Sequence, residues 1–155
     1  MFSRVLRYVR LPLLLLVIWA VLRFIIGLRG VPYAPRGNAM FSVLGLTIIS
    51  CIYYGAMSRR VGGFNWIGTI FVGAVVGLWA QILIFTATLV SFAANLNTYY
   101  VHWDALNIPE GTHPVMAQAM TTRAVGLIAG TIIGIIMALI GRAVFQALAP
   151  RCGND

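Results

Sequence analysis

Four residues in one segment carry side chains that bind metals or move protons: His102-x-Asp104, then Glu110-x-x-His113. Imidazole and carboxylate are ordinary zinc ligands and ordinary general acids and bases. In an extended chain His102 and Asp104 would share a face. Their spacing matches no standard metal site, so the four are expected to be polar residues of a loop, available for docking, with no metal or other cofactor. Cys51 and Cys152 lack the C-x-x-C spacing of zinc and thioredoxin-type sites, and lie in segments too different to pair. No serine or cysteine stands in a recognisable nucleophile frame. Every basic residue is arginine, so no phosphate-binding loop can end in its lysine. An enzyme is therefore the least expected class.

Arg23 lies inside an apolar segment, where an ionisable side chain is a functional candidate. Its length lets it snorkel outward, pair with another intramembrane polar group such as Gln81 or Asn95, or meet an anionic ligand directly. No Asp or Glu falls in an apolar segment. That absence disfavours proton-coupled carriers, which depend on an embedded carboxylate.

These residues must be positioned by a chain of 155 residues that is 61% hydrophobic and only 9% charged. Ordinary soluble domains carry roughly 25% charge. Four apolar stretches, each near or above the ~17 residues that span a hydrocarbon core, predict a single membrane domain. The fold class expected is all-α: an integral membrane protein built as an antiparallel bundle of four transmembrane helices, over about 11–28, 39–57, 64–94 and 115–148, with an outer loop over about 95–114. Pro12 suits a first helical turn. The turn from Gly30 to Asn38, with Pro32 and Pro35, separates the first two helices. Ser58 to Gly63 allows only a tight reversal between the next two. A basic start and an apolar run also describe a secretory signal peptide, but Pro35 follows the candidate cleavage point at Ala34, and an uncleaved first helix is expected.

Arginine counts set the orientation. With the N-terminus inside, Arg4, Arg7, Arg10, Arg59, Arg60, Arg142 and Arg151 lie inside, whereas Arg29, Arg36 and Arg123 lie outside. The positive-inside rule then puts both termini in the cytoplasm and the chain in the cell membrane. The net charge of +8 is scattered over helix ends rather than gathered on one surface, which points to anionic lipid and away from nucleic acid.

The strongest pattern is Gly126-x-x-x-Gly130-x-x-x-Gly134-x-x-x-Ala138, then Gly141, together with Gly73 and Gly77. Such spacing lets two backbones approach closely. Helical rise from the inner face predicts that Gly77 lies level with Gly134 and Gly73 with Ala138. This favours contact between the third and fourth helices and leaves Gly126 and Gly130 for a partner, with self-association through the whole stripe as the alternative. A small, apolar chain without membrane carboxylates is expected to work through contacts. The first expectation is an accessory or scaffolding subunit bound to itself or to a larger membrane complex. The second is a passive oligomeric channel or carrier for an ion or uncharged solute, and the third is lipid or pigment binding.

Overall fold

Pro12 has no N–H to give to the carbonyl of Tyr8, so the helical ladder opens at Val9 (φ −96°, ψ 10°). The N-terminal stretch forms two helices, α1 (Phe2–Tyr8) and α2 (Arg10–Leu28). The computed structural model describes residues 1–31, 41–110, 112 and 114–148. In it α2 is followed by α3 (Val43–Met57), α4 (Trp66–Ala93), single 3-10 turns at Tyr99–Val101 and Asp104–Leu106, and α5 (Met116–Leu148). The described residues include no strand. Three helices, α2, α4 and α5, are long and apolar enough to cross a membrane, the signature of a multi-pass membrane protein. The 15 residues of α3 rise only about 22 Å.

Several helix ends differ from expectation, each for a local reason. α1 is new, because the break at Val9 hides it from a reading that starts at the apolar run. α3 was expected from about 39, but Phe41 sits in the left-handed region (φ 62°) and Ser42 is extended, its hydroxyl accepting the Gly45 N–H at 3.2 Å. No helix passes through that geometry, so the cap fixes the start at Val43. α4 was expected from about 64. Instead the Asn65 side chain accepts the Gly68 N–H at 2.8 Å, and Phe64 folds back as a buried plug against the rings of Tyr8 and, by cation–π contact, Arg4.

The helices alternate in direction. Tyr8 at the start of the chain bonds the Tyr54 carbonyl at the end of α3 (3.0 Å) and stacks edge-on with Phe64 before α4. Arg142, near the end of α5, reaches the same place. At the opposite end Gly27 of α2 lies under the backbone of Thr98 and Tyr99, after α4. Midway, the Trp79 indole N–H bonds the Leu13 carbonyl and ties α4 to α2 (3.2 Å).

The closest approaches are backbone to backbone. A Cβ at Gly134 would stand 2.6 Å from the Gly73 carbonyl oxygen and 3.0 Å from the Gly77 Cα, and one at Gly77 2.7 Å from the Gly130 oxygen. Gly73 therefore lies level with Gly134, and Gly77 with Gly130, one turn from the expected register. The reason is that α5 runs well past the start of α4, so their ends are not flush. Ala138 and Gly141 meet α3 as well: Gly55 abuts the Ala138 backbone and Gly141 the Ile52 backbone. The buried face of α5 is thus divided between two neighbours.

One polar chain closes this end. Arg142 Nη1 donates to the Phe64 carbonyl (3.1 Å) and to Thr69 Oγ1 (2.6 Å). Ser58 Oγ has the Gly55 carbonyl at 2.7 Å and Thr69 Oγ1 at 2.8 Å, and Thr69 has the Asn65 carbonyl within donating reach at 3.2 Å. The guanidinium lies over the Trp66 ring, 4.5 Å from its centroid, while its Nε is buried without a hydrogen-bond partner among the described residues. A hydrogen-bonded line therefore runs from α5 through α4 to α3.

Candidate functional site

The other end of the bundle is open. The tightest backbone approaches of α3 to α5 at its glycines, Gly55 on Ala138 and Ile52 on Gly141, lie toward the Arg142 end. Between the first turn of α3 and the first half of α5 a cavity of about 480 Å³ remains, to which α4 contributes Gln81 and Ile84. Its polar lining is Arg23 from α2, Ser42 before α3, Gln81 from α4, Tyr99, Tyr100 and Asn107 from the loop, and Thr122 and Arg123 from α5. No carboxylate is among the described lining residues.

Each of these side chains is held from its own element. Arg123 donates through Nε to Thr88 Oγ1 (3.1 Å) and through Nη2 to the Tyr100 carbonyl (2.9 Å). The Thr88 hydroxyl spends its own proton on the Ile84 carbonyl. Tyr100 is buried and its hydroxyl donates to the Ala20 carbonyl of α2 (3.1 Å). Burial pushes its phenol up to about 12, against the pull of both Arg23 and Arg123, so it remains a donor at any working pH. The turn is pinned below by Ser91 and Thr98, whose hydroxyls meet at 2.7 Å, and above by Tyr99, which donates to the Val31 carbonyl. Gly27 makes room for it, since a Cβ there would stand 2.8 Å from the Tyr99 nitrogen.

Arg23, the intramembrane arginine, lies over the Tyr99 ring (5.5 Å to its centroid) and lines the cavity. Gln81 lies against Gly126 and Gly130, and it is this amide, not a partner helix, that fills the space those glycines leave. Gly130 is buried between Gln81 and the Gly77 backbone, contrary to the expectation that it faces a partner. Asn95 joins none of these groups: exposed, with φ 51°, it ends α4, because an asparagine tolerates the left-handed conformation that the reversal needs.

The loop residues are only partly assembled. His102 Nδ1 accepts the Asp104 N–H (3.3 Å) and its ring lies beside Trp103. Glu110 is exposed, and His113 lies outside the described residues. Among the described residues no three His, Cys, Asp or Glu side chains gather in a way that could hold a metal. The loop's buried members, Thr98, Tyr100 and Leu106, fold onto the bundle, so less of it is free for docking than its polarity suggests.

His102 titrates below the ordinary histidine value because burial disfavours its cation, an effect that the Asp104 charge opposes. A depressed histidine value means that the folded loop prefers the neutral ring. That preference is fully present above about pH 6.5 and is lost as pH falls through the folded value, when Nδ1 can no longer accept. An NMR titration of His102 is expected to give a midpoint below 6.5, with the Asp104 amide resonance moving in step. A midpoint at or above the free value would contradict this.

Sequence reasoning missed two residues of the framework. Arg142 was read as an end arginine, yet it continues the four-residue spacing through Ala138 and so falls on the inward stripe. Gly55 ends a run of small residues at four-residue spacing on α3, Thr47-x-x-x-Cys51-x-x-x-Gly55, all of them buried, and that run is the signal that could have found it. Comparison with protein-family models, curated proteins and solved structures found no match.

Proposed function

We propose that the chain is a four-span bundle, with α2, α3, α4 and α5 as its spans and both termini cytoplasmic, acting in the cell membrane as an accessory or scaffolding subunit. It works through helix faces rather than through a reaction. The observation that carries this reading is the outward face of α5: Val125, Ile128, Ile132, Ile136, Ile140 and Val144 are exposed. They form a row about 28 Å long at helical rise. Lipid contact needs only apolarity. A β-branched side chain on a helix is held in essentially one χ1 rotamer, so a partner helix that docks on this ridge freezes little side-chain entropy. The glycines give no competing surface, because α4 and α3 already fill that stripe.

Native mass spectrometry after extraction in a mild detergent should give an assembly heavier than one chain. Ile132→Trp should release the lone chain without lowering its unfolding temperature. A wild-type protein that leaves the membrane as a lone chain overturns the reading. Sidedness is tested by thiol labelling of Arg60→Cys and Trp103→Cys in a Cys51→Ala, Cys152→Ala background, expected from opposite faces of sealed vesicles.

A further inference from the structure

We propose that the cavity between Arg23 and Arg123 is a specific site for the phosphate of an anionic phospholipid, with Gln81 receiving the ester group below it. Two guanidinium groups from different helices line one cavity, and no carboxylate is among its described lining residues. Phosphate oxygens are the partners best matched to guanidinium forks. Arg123 is already oriented by Thr88 and the Tyr100 carbonyl, so little side-chain freedom remains to be lost when an oxyanion arrives.

Gln81 identifies the rest of the ligand. It lies twelve residues before the end of α4, about 18 Å along the helix, well below the depth of the headgroups. No described residue hydrogen-bonds its amide. An amide without a partner is costly in an apolar surrounding. Its N–H₂ can donate to an ester carbonyl of a lipid whose phosphate rests nearer the two arginines. The walls between include the apolar side chains of Leu44, Ile84 and Ala129. They suit the start of an acyl chain and offer nothing to a hydrated inorganic ion. The inference does not depend on whether the chain assembles with a partner.

The test uses the intact protein in a neutral maltoside detergent, with native mass spectrometry and titration of short-chain phosphatidylglycerol, phosphatidylcholine and inorganic phosphate. Phosphatidylglycerol should bind at least about tenfold more tightly than phosphatidylcholine. Arg23→Gln should remove most of that preference. Gln81→Leu should weaken the lipid a few-fold, while Arg29→Gln, an exposed arginine at the same end, should leave it unchanged. Arg123→Gln is avoided because it also unties Thr88 and Tyr100. Equal binding of the two lipids overturns the proposal. So does an Arg29→Gln loss as large as that of Arg23→Gln, which would mark diffuse attraction. Full competition by millimolar inorganic phosphate would reassign the site to a free anion.

Discussion

Arg142→Leu is expected to lower the stability of the folded bundle by about 3 kcal/mol, because it leaves the Phe64 carbonyl and the Thr69 hydroxyl without their donor while adding no new bond. Part of the arginine's gain is offset in place, because its buried cation leaves Nε without a hydrogen-bond partner among the described residues. Arg142→Lys should recover little of the loss. Both acceptors are served by the single nitrogen Nη1, so what an ammonium on a shorter stem cannot reproduce is the guanidinium's reach and its flat packing over Trp66. Thermal or denaturant unfolding in detergent measures all three proteins. Thr69→Val should be worth less alone, and a double-mutant cycle with Arg142→Leu should give a coupling of about 1 kcal/mol. A leucine variant as stable as the wild type would show that the polar line from α5 to α3 contributes nothing.

Gly134→Leu should cost as much or more, through sterics alone. The added Cβ would stand 2.6 Å from the Gly73 oxygen and 3.0 Å from the Gly77 Cα. Both are backbone atoms and cannot rotate away, so α4 and α5 must separate. Overpacking of this kind costs typically about 1–3 kcal/mol, and here the separation also opens the Gly73 and Gly130 contacts on either side. Gly126→Ala is the control, since its nearest neighbour is the mobile Gln81 Oε1 at 3.4 Å, and it should be near neutral. If Gly134→Leu unfolds at the wild-type temperature, the α4–α5 seam is not where the bundle draws its strength.

What the sequence disclosed, and what it hid, follows from the range over which each cause acts. The apolar segments and the reversal at Ser58 to Gly63 are local, and each shows in a short window. The starts of α3 and α4 depend on caps by Ser42 and Asn65, recognisable in hindsight but competing with continuous apolarity. The pairing of the glycines depends on how far one helix slides past another. Measuring both from a common face errs by one turn, because α5 runs on past the start of α4. Arg23 and Gln81 were visible as misfits in an apolar run, but their convergence with Arg123 is a property of three helices at once. Only the fold discloses it.

Because α5 supplies the surface that covers both Gly73 on α4 and Gly55 on α3, the earlier helices of the bundle close only once this later rod has been made. Until the ribosome has delivered that segment, the earlier ones carry a notch of bare main chain facing the hydrocarbon. A chain cut before residue 116 would leave that notch unfilled, with the Gly73 and Gly55 backbones bare.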